Sequence, residues 1–387
     1  MLDSAVRSVR GRIAAGVNVP FFRYPHVFAQ HRAELERALL DAAQSGAYIL
    51  QADLRAFEQE LAAFCGVRWA VGVGNATDGL ELNLRVAGVG PGSEVVLPAH
   101  TFVATAAAVV AVGATPVFAE IGSDHLIDAG DLEHRITPRT RGIMPVQLNG
   151  RTANMDAIGA VAERHGLAVV EDSAQGLGSR FCGRMAGTFG VAGVFSFYPA
   201  KVLGALGDGG AVITDDDATA RALGELRDHG RDKDTGEVVR WGRNTRLDNL
   251  QAAVLRVKLR HVNEEIARRR ELARRYTRNL GDVQEVVLPP PPDVAPGDPH
   301  VDVFQNYEIE AERRDNLRAF LGERGVGTLL QWGGKGVHQF PALGIAQRLP
   351  RTEAILARSL MLPMNTSLTE DEVDYVSEQI REFYATR

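Results

Sequence analysis

The sequence predicts an α/β protein in two parts: a large domain built on a mostly parallel sheet, then a smaller α+β domain. Three observations carry this. Short β-branched runs alternate with alanine- and leucine-rich helical stretches from about residue 66 to 215, a long amphipathic helix follows over about 247–280, and a proline-rich connector leads into a strand and two further helices. Strands separated by helices imply βαβ crossovers, and so a sheet covered on both faces.

The strand candidates in order are WAVGVG (69–74), SEVVLPA (93–99), TPVFAEI (115–121), RGIMPVQL (141–148), LAVVED (167–172), GVFSFYP (193–199) and AVITDD (211–216). The stretch Ala99 to Phe118 is apolar enough to raise the question of a membrane span. It holds His100, three threonines, Gly113 and Pro116, however, and reads as a buried helix. Leu255, Leu259, Val262 and Ile266 recur at helical spacing in a segment, Leu247 to Leu280, that has no proline or glycine to stop it. One long helix is expected there, leading out of the first domain. LPPPPDVAPGDP (288–299) supports neither a helix nor a central strand. Beyond it come a strand in QNYEIEA, a helix in RRDNLRAFLGERG, the unusual QWGGKGVHQF, and a last helix from about Glu370. Thr369 and Glu372 fit a capping box for that helix, with Val373, Val376 and Ile380 as its apolar face. The expected division is residues 1–255, including an N-terminal arm, and residues 256–387.

Composition excludes several classes. A net charge of −6 over 387 residues gives no nucleic-acid footprint and no polybasic membrane anchor. Cys65 and Cys182 form no CxxC pattern, which removes zinc ribbons and disulfide scaffolds, and no metal site is expected. The N-terminal MLDSAVRSVRGRIAAGV, with Asp3 and three arginines, does not read as a secretory signal, so a cytoplasmic protein is expected. Lysine occurs only at Lys201, Lys233, Lys258 and Lys335. Any lysine chemistry has four candidates.

The most informative segment runs from residue 169 to 210. A buried strand ends on Asp172, at the carboxyl edge where α/β sheets place ligands. Ser196 and Lys201 then stand on a strand-to-loop turn ahead of a glycine-rich stretch. GxxxxGK[ST] is absent, because Lys201 precedes the glycines, and GALGDGG is no dinucleotide fingerprint, because no helix follows it. What these residue types satisfy together is a pyridoxal phosphate site. That cofactor needs a lysine amine for a Schiff base, a carboxylate to keep the pyridine nitrogen protonated, and donors for its phosphate. Gly74, Asn75 and Thr77 open a helix whose free N–H groups offer a second phosphate-type feature. Blander readings exist: Asp172 as a turn residue, Thr77 or Asp78 as an N-cap. Lys233 and Lys258 sit among charged residues and read as solvated. Lys335, between glycines, reads as able to reach a substrate anion.

GNATDGLELNL (74–84), GVGPGSEVVLPAHTFVATAAAVVAVGATPVF (88–118), EDSAQGLGSRFCGRMAGTFGVAGVFSFYPAKVLGALGDGGAV (171–212) and GRNTRLDNLQAAVL (242–255) resemble successive blocks of the DegT/DnrJ/EryC1/StrS sugar aminotransferases. The resemblance spans about residues 20 to 345. It implies the type I aminotransferase fold, a homodimer with shared active sites, and nucleotide-linked keto-sugars as substrates. It also implies roles: Lys201 as the Schiff-base lysine, Asp172 as partner of the pyridine nitrogen, Phe102 stacked on the ring and Gln175 at the phenolic oxygen. Thr77, the backbone of Asp78 and Ser196 would hold the phosphate, and Asn244 would reach the phosphate of the other subunit's cofactor. On the residues alone, Phe102 reads as core, Asn244 as a turn residue and Gln175 as a strand-end bond. Two departures stand out: Gln147 and Asn149 replace a common His and Tyr, and LLQWGGKGVHQF replaces a His/Tyr and proline-rich stretch. Gln331, Lys335 and His338 are substrate candidates or ordinary loop residues.

The expected activity is transfer of an amino group, with glutamate as donor, to a keto-deoxy sugar linked to a nucleoside diphosphate. C4 of dTDP-4-keto-6-deoxyglucose is the expected acceptor, with C3 as the alternative. A sugar dehydratase is the rival within the family, where histidine is expected in place of Lys201. A non-catalytic sugar-nucleotide sensor is the rival from another class.

Overall fold

A computed structural model describes residues 17–386 apart from Val294 and Pro296. The N-terminal stretch on which the expected lack of a secretory signal rests lies, except for Val17, outside the described residues.

All seven expected strands form, and they make one sheet. They are β1 (Trp69–Val73), β2 (Glu94–Pro98), β3 (Thr115–Ala119), β4 (Thr140–Ile143), β5 (Ala168–Asp172), β8 (Ala192–Ser196) and β9 (Gly210–Thr214). Between β5 and β8 the short hairpin β6 (Arg180–Phe181) and β7 (Arg184–Met185) projects from the sheet. The order is β1-β9-β8-β5-β4-β2-β3, parallel throughout except for β9, which runs against both its neighbours. Every residue of β2 and β9 is buried, as expected of strands covered on both faces. Asp172 pairs with Val194, so the carboxyl ends of β5 and β8 lie side by side.

The smaller sheet, β10-β12-β13, joins β10 (Val286–Val287), β12 (Tyr307–Ala311) and β13 (Ser359–Leu362). Ile309 and Leu360 from it pack with Leu317, Val373, Val376 and Ile380 of two helices. The final helix, Glu370–Ala385, begins with the expected capping box: the Glu372 N–H donates to Thr369 Oγ1 and the Thr369 N–H to Glu372 Oε2. The proline connector does not stay within this part. β11 (His300–Val301), which follows it, pairs with β6 on the large sheet's hairpin.

The single helix expected over 247–280 is two, Asn249–Arg260 and Val262–Leu280, broken at His261 with φ −103° and ψ 3°. The reason is packing. Ala252 and Leu255 join Phe57, Leu61 and Phe197 in one core, whereas Leu272 and Tyr276 join Ile309 and Val376 in another, so each half turns its apolar face to a different body. Val19, at the chain's start, also packs into the C-terminal core and bonds to Gly325 and Gly327. Ala99–Phe118 resolves into a turn, a helix (Val103–Ala111) and β3. No described helix is long and apolar enough to cross a membrane.

Candidate active site

The carboxyl ends of β5 and β8 open into a cavity of about 460 Å³, lined by Thr77, Phe102, Asp172, Gln175, Ser196 and Lys201, with Asn75, Tyr198 and Trp332 at its edges. That volume suits a cofactor-sized ligand. Six residues proposed from sequence thus meet around one cavity.

Asp172 is 5% exposed. Its Oδ2 accepts the Thr105 hydroxyl at 2.7 Å and its Oδ1 accepts the Ala174 N–H at 3.2 Å. Burial pushes its pKa above the usual carboxylate value, while the Thr105 and Ala174 bonds and the charge of Lys201 pull it down. Two donors leave this buried carboxylate short of a compensating charge, and a protonated ring nitrogen would supply one. Lys201 stands in the turn after β8. Burial lowers its amine to about 8, with the Asp172 charge opposing. At neutral pH part of the population is therefore unprotonated and nucleophilic.

The helix Ala76–Val86 brings its N-terminal residues to the same cavity. Its N-cap is Asn75, whose Oδ1 accepts the Asp78 N–H at 2.9 Å, so that N–H is already engaged and Ala76 and Thr77 present the remaining first-turn donors. Gly210 permits this approach: a Cβ there would stand 2.7 Å from the Asn75 carbonyl carbon. Ser196 Oγ accepts from the Tyr198 N–H at 3.3 Å, and the Tyr198 hydroxyl meets that of Tyr24. Phe102 is 54% exposed rather than core, with the Trp332 ring 6.4 Å away across the cavity mouth.

The remaining sequence candidates are dispersed. Asn244 is exposed and outside its own chain's cavity, although its neighbour Thr245 accepts from the Gly74 N–H at 3.1 Å. Lys335 is exposed. Gln331 is buried, with its Nε2 donating to Asn149 Oδ1 at 3.1 Å, and His338 is buried between Glu353 and Phe118. Lys258, read from sequence as solvated, is half-buried. Its ammonium donates to the Gly204 carbonyl at 2.6 Å, and desolvation lowers it to about 8.

Gln147 and Asn149, which replace the family's common His and Tyr, enter separate networks, and Asn149 is joined to the LLQWGGKGVHQF stretch through Gln331. Gln147 is fully buried, donating to Glu171 and accepting from the Ala153 N–H. Asn149 donates its N–H to Gln175 Oε1 at 2.9 Å, accepts from Asn306 and Gln331, and donates its side-chain N–H to Glu308. Glu308 in turn meets His100 and His125, which hold its carboxyl well below the usual range. Sequence reasoning missed Thr105, Tyr198, Trp332 and Asn306. Only Thr105 carried a signal, lying one helical turn beyond Thr101 and three residues after Phe102.

A buried acid short of charge, an amine lowered by burial, and a helix N-terminus facing both across one cavity fit pyridoxal phosphate, and with the fold they define a pyridoxal-phosphate-dependent aminotransferase. The chain belongs to the DegT/DnrJ/EryC1/StrS aminotransferase family, which it matches over residues 29–381. It is 42% identical over 372 residues to a dTDP-3-amino-3,4,6-trideoxy-α-D-glucose transaminase of Streptomyces venezuelae, covering 94% of this chain and 96% of that one. It is 38% identical over 356 residues, 92% and 95% of the two chains, to a UDP-N-acetyl-3-dehydro-α-D-glucosamine 3-aminotransferase of Acidithiobacillus ferrooxidans. The fold superposes on the crystal structure of S. venezuelae DesV in complex with a ketimine intermediate with a TM-score of 0.91, at 41% identity over 96% of this chain and all of that one. The protein is a pyridoxal-phosphate-dependent sugar aminotransferase.

Proposed function

We propose that this enzyme moves an amino group from glutamate to C3 of a keto-deoxy sugar carried on a nucleoside diphosphate, dTDP in the first instance. The observation that carries the chemistry is Lys201 and Asp172 lining one cavity, close enough for each charge to act on the other. The regiochemistry rests on the relatives, two of which are named for nitrogen at C3, and C3 is accordingly preferred to the C4 expected from sequence.

Pyridoxal phosphate, when bound, supplies a conjugated ring that takes up the electron pair left when the donor's Cα–H bond breaks. Asp172, steadied by Thr105 and Ala174, holds the proton at the ring nitrogen. Lys201 Nζ would take the proton from the donor's Cα and hold it, and in the reverse half-reaction would give a proton to the sugar carbon. Phe102 would lie against the ring face and Gln175 beside the phenolic oxygen. The Thr77 and Ser196 hydroxyls and the first-turn N–H groups hold the phosphate, the Asp78 N–H being shared with Asn75. Trp332 narrows the mouth against water. An amine at position 201 favours transamination over dehydration.

Asn244, exposed and outside its own cavity, suits a homodimer in which it reaches the partner's phosphate. Lys335, the one exposed member of QWGGKGVHQF's three candidates, suits the sugar nucleotide's diphosphate, whereas the burial of Gln331 and His338 suits support of the wall. The test is incubation of the loaded enzyme and glutamate with dTDP-linked 3-keto and 4-keto 6-deoxyglucose, followed by NMR location of the nitrogen. Nitrogen at C3 supports the reading. Amination of the 4-keto sugar alone would overturn it.

A further inference from the structure

Lys201 lies in a turn without regular secondary structure, between β8 and β9. Its own N–H donates to the Tyr198 carbonyl, and the turn closes where the Ala205 N–H meets the Phe197 carbonyl. Those bonds leave the Ala200 carbonyl and the Val202 N–H, one in each peptide group flanking Lys201, to be held by something else. Both are held by one side chain. Gln305 Oε1 accepts the Val202 N–H at 2.8 Å, and Gln305 Nε2 donates to the Ala200 carbonyl at 2.8 Å.

This side chain comes from just before β12, more than a hundred residues away, and is 5% exposed. Its backbone is fixed in turn. The Gln305 carbonyl accepts from Arg269 Nη1 at 3.0 Å, and Arg269, 2% exposed, is paired with Glu265. On the opposite side the Val303 N–H donates to the Gly150 carbonyl, and a Cβ at Gly150 would stand 2.6 Å from the Gln305 nitrogen. The next residue, Asn306, donates to Gln175 Oε1 at 3.2 Å. Adjacent residues of one segment thus hold the reactive amine's turn and the polar group assigned to the cofactor's oxygen.

We propose that Gln305 is a positioning residue for Lys201, whose primary amide sets the rotation of both flanking peptide groups and so the place of Nζ in the cavity. A primary amide matches this demand, because one flanking group needs an acceptor and the other a donor. Methionine fills similar volume and supplies neither, leaving a buried N–H and a buried carbonyl unpaired. Glutamate keeps the acceptor and loses the donor. The inference rests on Lys201 being the reactive amine.

The experiment reads that amine with and without cofactor. In cofactor-free protein, the rate of lysine arylation by trinitrobenzenesulfonate is followed against pH, with the modified residue located by mass spectrometry. In loaded protein, cofactor dissociation, kcat and KM are measured. Gln305→Met is expected to move the apparent pKa of Lys201 upwards from about 8 towards the ordinary lysine value. It should also weaken cofactor retention and lower kcat roughly tenfold while KM changes much less. A folded Gln305→Met protein, verified by thermal melting, with the Lys201 pH profile, cofactor dissociation and kcat all unchanged overturns the proposal. If Gln305→Met does not fold, Gln305→Glu decides by the same three readouts. Failure of the underlying reading looks different: borohydride would then fix the cofactor of the wild-type enzyme on a lysine other than Lys201.

Discussion

The hydroxyl of Thr105 donates to Oδ2 of Asp172 at 2.7 Å, while the Thr101 hydroxyl lies 2.6 Å from that of Thr105. Threonine at this position orients the acid from the first turn of a helix, Val103–Ala111, that begins immediately after Phe102. Phe102 and the acid's support thus stand on one helix start.

Thr105→Val keeps the shape and removes the bond. It should lower kcat by roughly tenfold, since a hydrogen bond to a charged group contributes on the order of 1.5–3 kcal/mol. Steady-state kinetics with both substrates checks this, and a change below twofold would remove Thr105 from the machinery.

Asp172→Asn should leave the protein folded and able to retain cofactor, yet cut turnover by several orders of magnitude. An amide cannot keep the ring nitrogen protonated, and the loss falls on the carbanion-like transition state. Single-turnover rates with glutamate alone test it, and near-wild-type rates would refute the assignment.

Mixing Lys201→Ala with Asn244→Ala probes the shared site. If Asn244 serves the partner, each hybrid dimer has one site with both defects and one with neither. Random exchange should then restore about a quarter of wild-type activity, from one inactive parent and one weakened at limiting cofactor. A mixture giving only the parental average, after exchange has been verified, counts against a homodimer of this design.

A fourth expectation concerns stability rather than turnover. His125 bonds to Glu308 and Glu310, which raise it from the usual 6.5 to about 10 against the opposing effect of burial. A value raised on folding stabilises fully below the unfolded pKa and is lost as pH climbs through the folded one, so this contribution should decay between about pH 6.5 and 10. Urea unfolding at those two pH values should show a loss on the order of 4 kcal/mol that is absent in His125→Gln. Equal pH dependence in both proteins would contradict the ion pair.

Much of this was legible in the sequence because it depends on local pattern. The seven sheet strands announce themselves as short β-branched runs between helical stretches, and Thr369 with Glu372 specifies a helix start within four residues. What stayed hidden depends on distant partners. Nothing near Lys258 reveals that its ammonium will meet the Gly204 carbonyl, and nothing near Gln305 reveals the turn that it holds. The break at His261 was equally invisible, since both flanking segments keep helical periodicity and only the presence of two separate cores forces the bend. The Phe102 ring reads as core from its apolar company, and only the opening of the cavity leaves it half exposed.

Asn149, Phe304 and Trp332 all have left-handed backbones, with φ of 55°, 53° and 48°. Each sits at the cavity or directly beside a residue that shapes it: the Asn149 side chain bonds Glu308, Asn306 and Gln331, Phe304 precedes Gln305, and Trp332 lines the cavity. Glycine would relieve about 1–2 kcal/mol of backbone cost at each position and would delete the side chain that the cost maintains. For directed evolution, these are the places where a heat-selected library and an activity-selected library should diverge, the first enriching glycine and the second rejecting it.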